Sequence, residues 1–299
     1  MGKADTAGSQ SVAAATVLYN PDLGQLDALL APLERDGIRV FIFLNGPVAP
    51  AVEARLAASN TVLLRSPANL GLGHALNAVA EAAAAEGFAF LLLLDQDSVP
   101  PPELAESLAV QFDRLPSPAA ALGPRLVAPQ GEHYLEPRYA RRSAAGPGIS
   151  LVDFLPTSGT LLSLAAWRKI GPFRADYFID GIDVEWCFRA SASGHGCYLA
   201  EAIAMPHRWG DATAQARRKP QILRQSLTRS FYYFRNTMVS LRLPHMPLGW
   251  RFRSCLRILA QAVLLLGMQP FSGRTWRTVA AALSSGLRGK LGPIPPGLG

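Results

Sequence analysis

Phe88-Ala89-Phe90-Leu91-Leu92-Leu93-Leu94 runs without a polar break and stops at Asp95-Gln96-Asp97-Ser98. That junction constrains the fold more than any other stretch. An unbroken apolar run of this length reads as a strand buried on both faces of a sheet. Open α/β sheets bind ligands just outside the carboxyl ends of their strands. Asp95 and Asp97 stand two apart, so in extended chain they point the same way. Two carboxylates so placed suit a hard divalent cation and the diphosphate it neutralises. The plainer reading is an acidic loop before a helix starting at Pro100-Pro101-Pro102-Glu103. It would suffice for an isolated Asp-x-Asp; the buried strand in front of this one favours the site.

Three further apolar runs precede that strand, at Val12–Tyr19, Ile38–Leu44 and Thr61–Leu64. Segments of helical composition separate them, the first capped by Asp22. Such alternation indicates βαβ units and a parallel sheet. Right-handed crossovers then place Asn20, Asn45, Asn69 and Asp95 along one edge. Four polar residues closing four apolar runs make a nucleotide crevice a better account than four independent turns. Asn69-Leu70-Gly71-Leu72-Gly73 is neither a Walker phosphate loop nor a dinucleotide fingerprint. Taken alone it is a strand–helix turn.

After residue 119 the pattern changes. Ala119–Val127 is a strand, and 129–148 reads as a Gly/Pro-rich loop. Short apolar segments flank Pro156-Thr157-Ser158-Gly159. Asp180, Asp183 and Glu185 then fall within six residues at the start of a helix, where carboxylates suit the helix dipole. On a helix Asp183 and Glu185 diverge, which predicts different roles. His207 follows a short strand and precedes Arg208-Trp209-Gly210-Asp211.

Charge divides the chain. Residues 1–204 carry 14 Lys/Arg against 21 Asp/Glu, a net of −7, whereas residues 205–299 carry 15 Lys/Arg and the single acid Asp211, a net of +14. So basic a tail calls for an anionic neighbour: phospholipid, nucleic acid, or the acidic face of its own domain. The apolar part of 250–268 covers about half of the roughly 20 residues a bilayer span requires. It reads as a basic amphipathic helix lying at the interface. The start of the chain shows no apolar leader, and Cys187, Cys197 and Cys255 show no metal or disulfide spacing, so a reducing cytoplasm is expected.

Four ordered motifs, with two shorter groups after them, resemble a family 2 glycosyltransferase of the glycosyltransferase A fold, and within it a bacterial rhamnosyltransferase. They are Tyr19-Asn20-Pro21; Asn69-Leu70-Gly71 with Ala75 and Asn77; Asp95-Gln96-Asp97-Ser98; and Phe178-Ile179-Asp180 with Asp183-Val184-Glu185-Trp186-Cys187 and Arg189. His207-Arg208 and Tyr233 with Arg235-Asn236 complete the set, which spans about residues 12–240. Many relatives carry Glu-Asp where this chain has Ile182-Asp183, which leaves Asp183 as the sole base there. An Asp-Asn or Asn-Asn pair is common where this chain has Leu44-Asn45.

The resemblance implies a mostly parallel, Rossmann-like α/β sheet flanked by helices, with a basic helical extension. The expected organisation is a disordered start at 1–11, a catalytic domain at 12–220 and a basic amphipathic region at 221–299. It also implies inverting, metal-dependent sugar transfer from a nucleotide sugar, dTDP-β-L-rhamnose in the rhamnosyl branch. Thr16, Tyr19, Asn20, Asn45, Asn69, Gly71, Asn77, Asp95 and Gln96 would bind the donor. Asp97, with His207, would hold Mg2+ or Mn2+. Asp183 would be the general base. Thr157, Ser158, Gly159, Glu185 and Trp186 would face the acceptor, a glycan or lipid-linked glycan of cell-surface polysaccharide synthesis. The expected setting is cytoplasmic, peripheral at the inner membrane through the C-terminal helices, without nucleic acid; an oligomer is compatible. The alternatives are a UDP-hexose donor, or a nucleic-acid-binding protein whose tail stacks aromatic residues on bases.

Overall fold

The protein is described from a computed structural model over residues 11–129, 139–207, 226–268 and 272–298. All of the expected disordered start except Ser11 lies outside these residues, as does Arg208-Trp209-Gly210-Asp211.

β1 (Val12–Leu18), α1 (Leu23–Arg35), β2 (Arg39–Asn45), α2 (Pro50–Ala57), β3 (Thr61–Ser66), α3 (Leu72–Ala85) and β4 (Phe90–Leu94) alternate as the apolar runs predict. Asp22 caps α1, its Oδ1 accepting from Gln25 N at 3.0 Å. The strands pair in the order β3-β2-β1-β4, all parallel. Thr16 lies opposite both Leu94 and Ile42, and Asn45 opposite Ser66. This register brings the carboxyl ends of the four strands to one edge.

All five residues of β4 are buried. Leu91 and Leu93 pack on one side with α3; Phe90, Leu92 and Leu94 pack on the other with α1 and with α4 (Leu104–Phe112). Each such side chain contributes about 1.5–3 kcal/mol when withdrawn from water. That is why the run tolerates no polar break.

Beyond β4 the sheet becomes mixed. β5 (Ala119–Val127), β6 (Arg142–Gly146), β7 (Ile149–Val152), β8 (Thr160–Ser163) and β9 (Gly196–Pro206) extend it to nine strands in the order β3-β2-β1-β4-β8-β5-β9-β7-β6. β8 is antiparallel to both neighbours, and β6–β7 form a hairpin. The hairpin corrects the reading of 129–148 as a loop throughout. β6 is an exposed edge strand with no apolar alternation. It is held by pairing with β7 and by the Arg142–Glu201 ion pair rather than by burial.

α5 (Leu164–Ile170), a 3-10 turn (Ala175–Tyr177) and α6 (Ile182–Ala192) cover the α3 side of the sheet. Three C-terminal helices, α7 (Leu227–Ser240), α8 (Leu248–Met268) and α9 (Gly273–Arg288), share a separate small core. Phe231, Tyr232 and Phe234 are buried in that core, so these rings offer no platform for stacking on bases. α7 also docks on the larger domain, where Tyr177 Oη and Ser240 Oγ lie 2.7 Å apart.

Candidate active site

The turn after β4 is wired in place by short hydrogen bonds. Asp95 N donates to Ser98 Oγ at 3.1 Å, and Ser98 N returns a bond to Asp95 O at 3.0 Å. Ser98 Oγ meets Ser158 Oγ at 2.8 Å, and Gly159 N donates to Leu93 O at 2.8 Å. The Ser158 hydroxyl also reaches the Asp95 carboxylate. Ser158 and Gly159 are therefore buried braces of the acidic turn, whereas Thr157 lines a small cavity with Asp183 and Trp186. Gly159 has φ +79°, and a Cβ there would strike Met205 and Pro124.

The strand ends beside this turn converge on it. Gln96 Oε1 accepts from Tyr19 N at 2.9 Å, next to Asn20 in a left-handed conformation (φ 47°). Asn45 Oδ1 accepts from Leu70 N at 2.7 Å, and its Nδ2 donates to Asn69 Oδ1 at 2.9 Å. The buried Thr16 hydroxyl, one strand over, has no hydrogen-bond partner among the described residues. An orphaned hydroxyl at the strand ends marks a place where a ligand group would be welcome.

Asn77 and Gly71 turn out otherwise than expected. Asn77 clips α3 to a distant loop, donating to Phe173 O at 2.9 Å and accepting from Phe173 N at 2.8 Å. Its amide is used at both ends, so it is a fastener and not a donor contact. At Gly71 a Cβ would sit 2.7 Å from Phe178 O, and at Gly73 2.5 Å from Arg174 O. The chain at 174–178 crosses the start of α3 there, and Leu72 N donates to Phe178 O. That N–H of the helix's first turn is thereby spent on protein.

Asp183 lies in the first turn of α6, its Oδ1 accepting from Val184 N at 2.8 Å. The approach to it is strained: Phe178, Asp180 and Gly181 have φ of 68°, 65° and 78°. Non-glycine residues in this region cost of order 1–3 kcal/mol each, so something must hold them. Asn236 of α7 does so, its Nδ2 donating to Tyr177 O, Ile179 O and Asp180 O at 3.0, 2.7 and 2.9 Å. Arg235 adds a bond to Tyr177 O at 2.9 Å. Arg229 Nε, also on α7, reaches Asp180 Oδ1 at 3.0 Å.

The carboxylates feel one another. Burial pushes Asp95 up to about 7, Asp97 and Asp183 push the same way, and Arg229 and Ser158 oppose them. Burial likewise lifts Asp183 to about 6, against the Val184 amide and with help from Asp180. Asp180 is raised by burial against Arg229. His207 is lowered by burial, which outweighs the charge of Asp97 facing it, so a neutral ring stands beside the exposed Asp97. Raised carboxyls facing one another in a cleft are a functional-site signature.

Glu185 and Trp186 are committed elsewhere. The buried Glu185 carboxylate is gripped by Arg189 at 3.0 and 2.9 Å, and His245 Nε2 lies 3.0 Å from it, its imidazole lowered below the usual value by burial against the pull of Glu185. Trp186 Nε1 donates to Gly171 O at 2.9 Å, and its ring packs on Phe173. Glu185 thus stitches α6 to its surroundings and is not presented to an acceptor. Trp186 contributes only the edge it shares with the cavity beside Asp183.

Among the described residues no three His, Cys, Asp or Glu side chains form a ready metal cage. Asp97 and His207 offer an oxygen and a neutral nitrogen. That donor set fits a divalent cation completed by a diphosphate and water. Sequence reasoning did not find Arg229 as a site residue; nothing in its spacing distinguishes it from the other arginines of the tail.

The model of the family described as "Glycosyl transferase family group 2" matches residues 90–286. The dTDP-rhamnosyl transferase RfbF of Shigella flexneri is 24% identical over 292 residues, covering 95% of this chain and 98% of that protein. Among solved structures, S. aureus TarS in complex with UDP-GlcNAc has a TM-score of 0.62 at 12% identity, over 93% of this chain and 81% of that one. GalNAc-T7 with UDP, GalNAc and Mn2+ has a TM-score of 0.58 at 11% identity, over 84% of this chain and 54% of that one. These two likenesses establish the glycosyltransferase A fold. With the family model spanning most of the chain, from β4 through α9, this protein belongs to glycosyl transferase family group 2 and is a glycosyltransferase.

Proposed function

We propose that the enzyme moves L-rhamnose from dTDP-β-L-rhamnose to a hydroxyl of a glycan, inverting the anomeric centre to give an α-rhamnoside. The observation that carries the mechanism is the isolation of Asp183 as a base. Asp180 is tied to Arg229 and Glu185 to Arg189, and Asp95, pushed up to about 7, holds its proton more tightly than Asp183, so none of the three competes with Asp183 as an ionised carboxylate. A single base means single displacement: Asp183 takes the acceptor proton as that oxygen attacks. A base raised to about 6 is ionised near neutral pH and is still a competent proton acceptor. The donor choice is supported by the relative whose name carries dTDP-rhamnosyl transfer, aligned end to end.

Thr16, Asn20 and Gln96 line the nucleotide side, and Asp95 faces the sugar. Asp97 and His207 are the residues that would hold Mg2+ or Mn2+, which when bound neutralises charge on the departing nucleoside diphosphate. The acceptor this reading takes is a lipid-linked glycan. No helix among the described residues is long and apolar enough to cross a membrane.

The test is nucleotide release from dTDP-rhamnose and a panel of UDP-sugars, with glycan acceptors, on wild type and a folded Asp183→Asn variant. Preference for dTDP-rhamnose and loss in the variant support the reading. Undiminished turnover in Asp183→Asn would sink the mechanism, and a UDP-sugar preference would sink the donor.

A further inference from the structure

Among the described residues twelve large apolar side chains are exposed, and five of them lie on α8: Leu248, Phe252, Leu256, Leu259 and Val263. Their exposures run from 53 to 79%. The spacing of four, four, three and four residues places them in one stripe. At 1.5 Å per residue the stripe is about 23 Å long. The opposite face of α8 (Ser254, Ile258, Ala262 and Leu265) is buried. Exposed Arg253 and Arg257, four apart, follow one flank of the stripe. Packing within the C-terminal core accounts for one face of this helix and leaves the other without a partner among the described residues.

The charge around the stripe selects the occupant. Residues 226–298 hold ten Lys/Arg and no Asp or Glu. A second copy docked symmetrically on this face would bring two such surfaces together, at a repulsive cost. A polyanion such as nucleic acid would leave the apolar stripe in water. A bilayer containing anionic lipid satisfies both features, with apolar side chains in the acyl boundary and guanidinium groups among the headgroups.

We propose that α8 is the face by which this enzyme lies on an anionic membrane, with Phe252, Leu256, Leu259 and Val263 inserted and Arg253 and Arg257 at the headgroups. Arg257 also reaches the half-buried Tyr233 of α7, which ties α8 to the helix that holds the Asp180 loop. The docking stands without the glycosyl-transfer reading; only its value for a lipid-linked acceptor rests on that reading.

The experiment is sedimentation of the full chain with phosphatidylcholine vesicles, with and without a quarter phosphatidylglycerol. Wild type is expected to bind the anionic vesicles at low salt and to be released as salt rises. Phe252→Ser/Leu256→Ser/Leu259→Ser should lower binding about tenfold or more while its melting temperature and its nucleotide release with a water-soluble acceptor stay at wild-type values. Arg253→Gln should weaken binding to anionic vesicles only. Wild type left in the supernatant at low salt overturns the proposal, as does a triple variant that sediments like wild type. So does light scattering that finds a wild-type dimer turned monomeric by the triple change. Vesicle binding and nucleotide release are read separately, so failure of either reading leaves the other measurable.

Discussion

Asn236 Nδ2 lies 2.9 Å from the Asp180 carbonyl oxygen, so a helix of the basic C-terminal region holds the strained loop that presents Asp183. The extension is thus part of what positions Asp183, the proposed base, and not an appendage.

Asn236→Ala leaves three carbonyls without this donor. Each lost bond is worth about 1 kcal/mol net. The variant should melt several degrees lower, and kcat should fall more than KM for the donor rises, because the turn that carries Asp95 and Asp97 is braced by Ser98 and Ser158 and not by this loop. Steady-state kinetics decides; a fall in KM-linked binding alone would contradict the assignment.

Turnover should rise with pH along an acidic limb centred near 6, where Asp183 loses its proton. Asp183→Asn should cost about 10²- to 10⁴-fold in kcat and remove the limb. A pH–rate profile of both proteins checks this.

Stability carries the opposite sign. Asp183 and Asp95 are raised from 3.8 to about 6 and about 7, so they hold protons more tightly folded than unfolded. Their contribution is fully present only below about pH 4 and is lost as pH rises through those folded values. Asp183→Asn should therefore stabilise the ligand-free protein by about 1–3 kcal/mol at pH 7.5, with the gain vanishing toward pH 4. Thermal unfolding across that range measures it.

Chelation should abolish nucleotide release, and Mn2+ or Mg2+ should restore it. Asp97→Ala should raise the metal concentration for half-maximal activity by about tenfold or more. Full activity in excess chelator would remove Asp97 and His207 from the proposed metal set.

Gly73→Ala places a methyl against backbone atoms of Arg174 and Ala175 that have no side-chain freedom to yield. Overpacking of this kind costs about 1–3 kcal/mol, read as a lower midpoint in urea.

Local signals made half of the molecule legible. β1, β2 and β4 announced themselves as largely buried apolar runs and β3 only as a short apolar stretch on the half-buried sheet edge, and Asp95, Asp97 and Asp183 stood out as acids against apolar runs. β6 gave no such signal, since an edge strand of Arg-Ser-Ala-Ala-Gly is held by pairing and not by burial. Asn77, Glu185 and Trp186 sit inside informative motifs, yet their partners, Phe173, Arg189 and Gly171, show them to be structural. Spacing does not separate a motif residue that touches substrate from one that fastens the frame. Arg229 and Asn236 act across 49 and 56 residues of sequence, a distance over which no periodicity speaks.

The crossing at Gly71 and Gly73 has a consequence for recombination between relatives. There the start of α3 and the segment leading to Asp183 touch backbone to backbone, with Leu72 N bonded to Phe178 O. The two stretches lie about a hundred positions apart in sequence yet form one seam. A chimera that inherits residues 69–77 from one parent and 171–180 from another keeps the seam only if Gly71, Gly73 and the backbone path at 174–178 are all preserved. Breakpoints that keep both stretches from a single parent leave it whole, so a change of acceptor specificity is best grafted outside it.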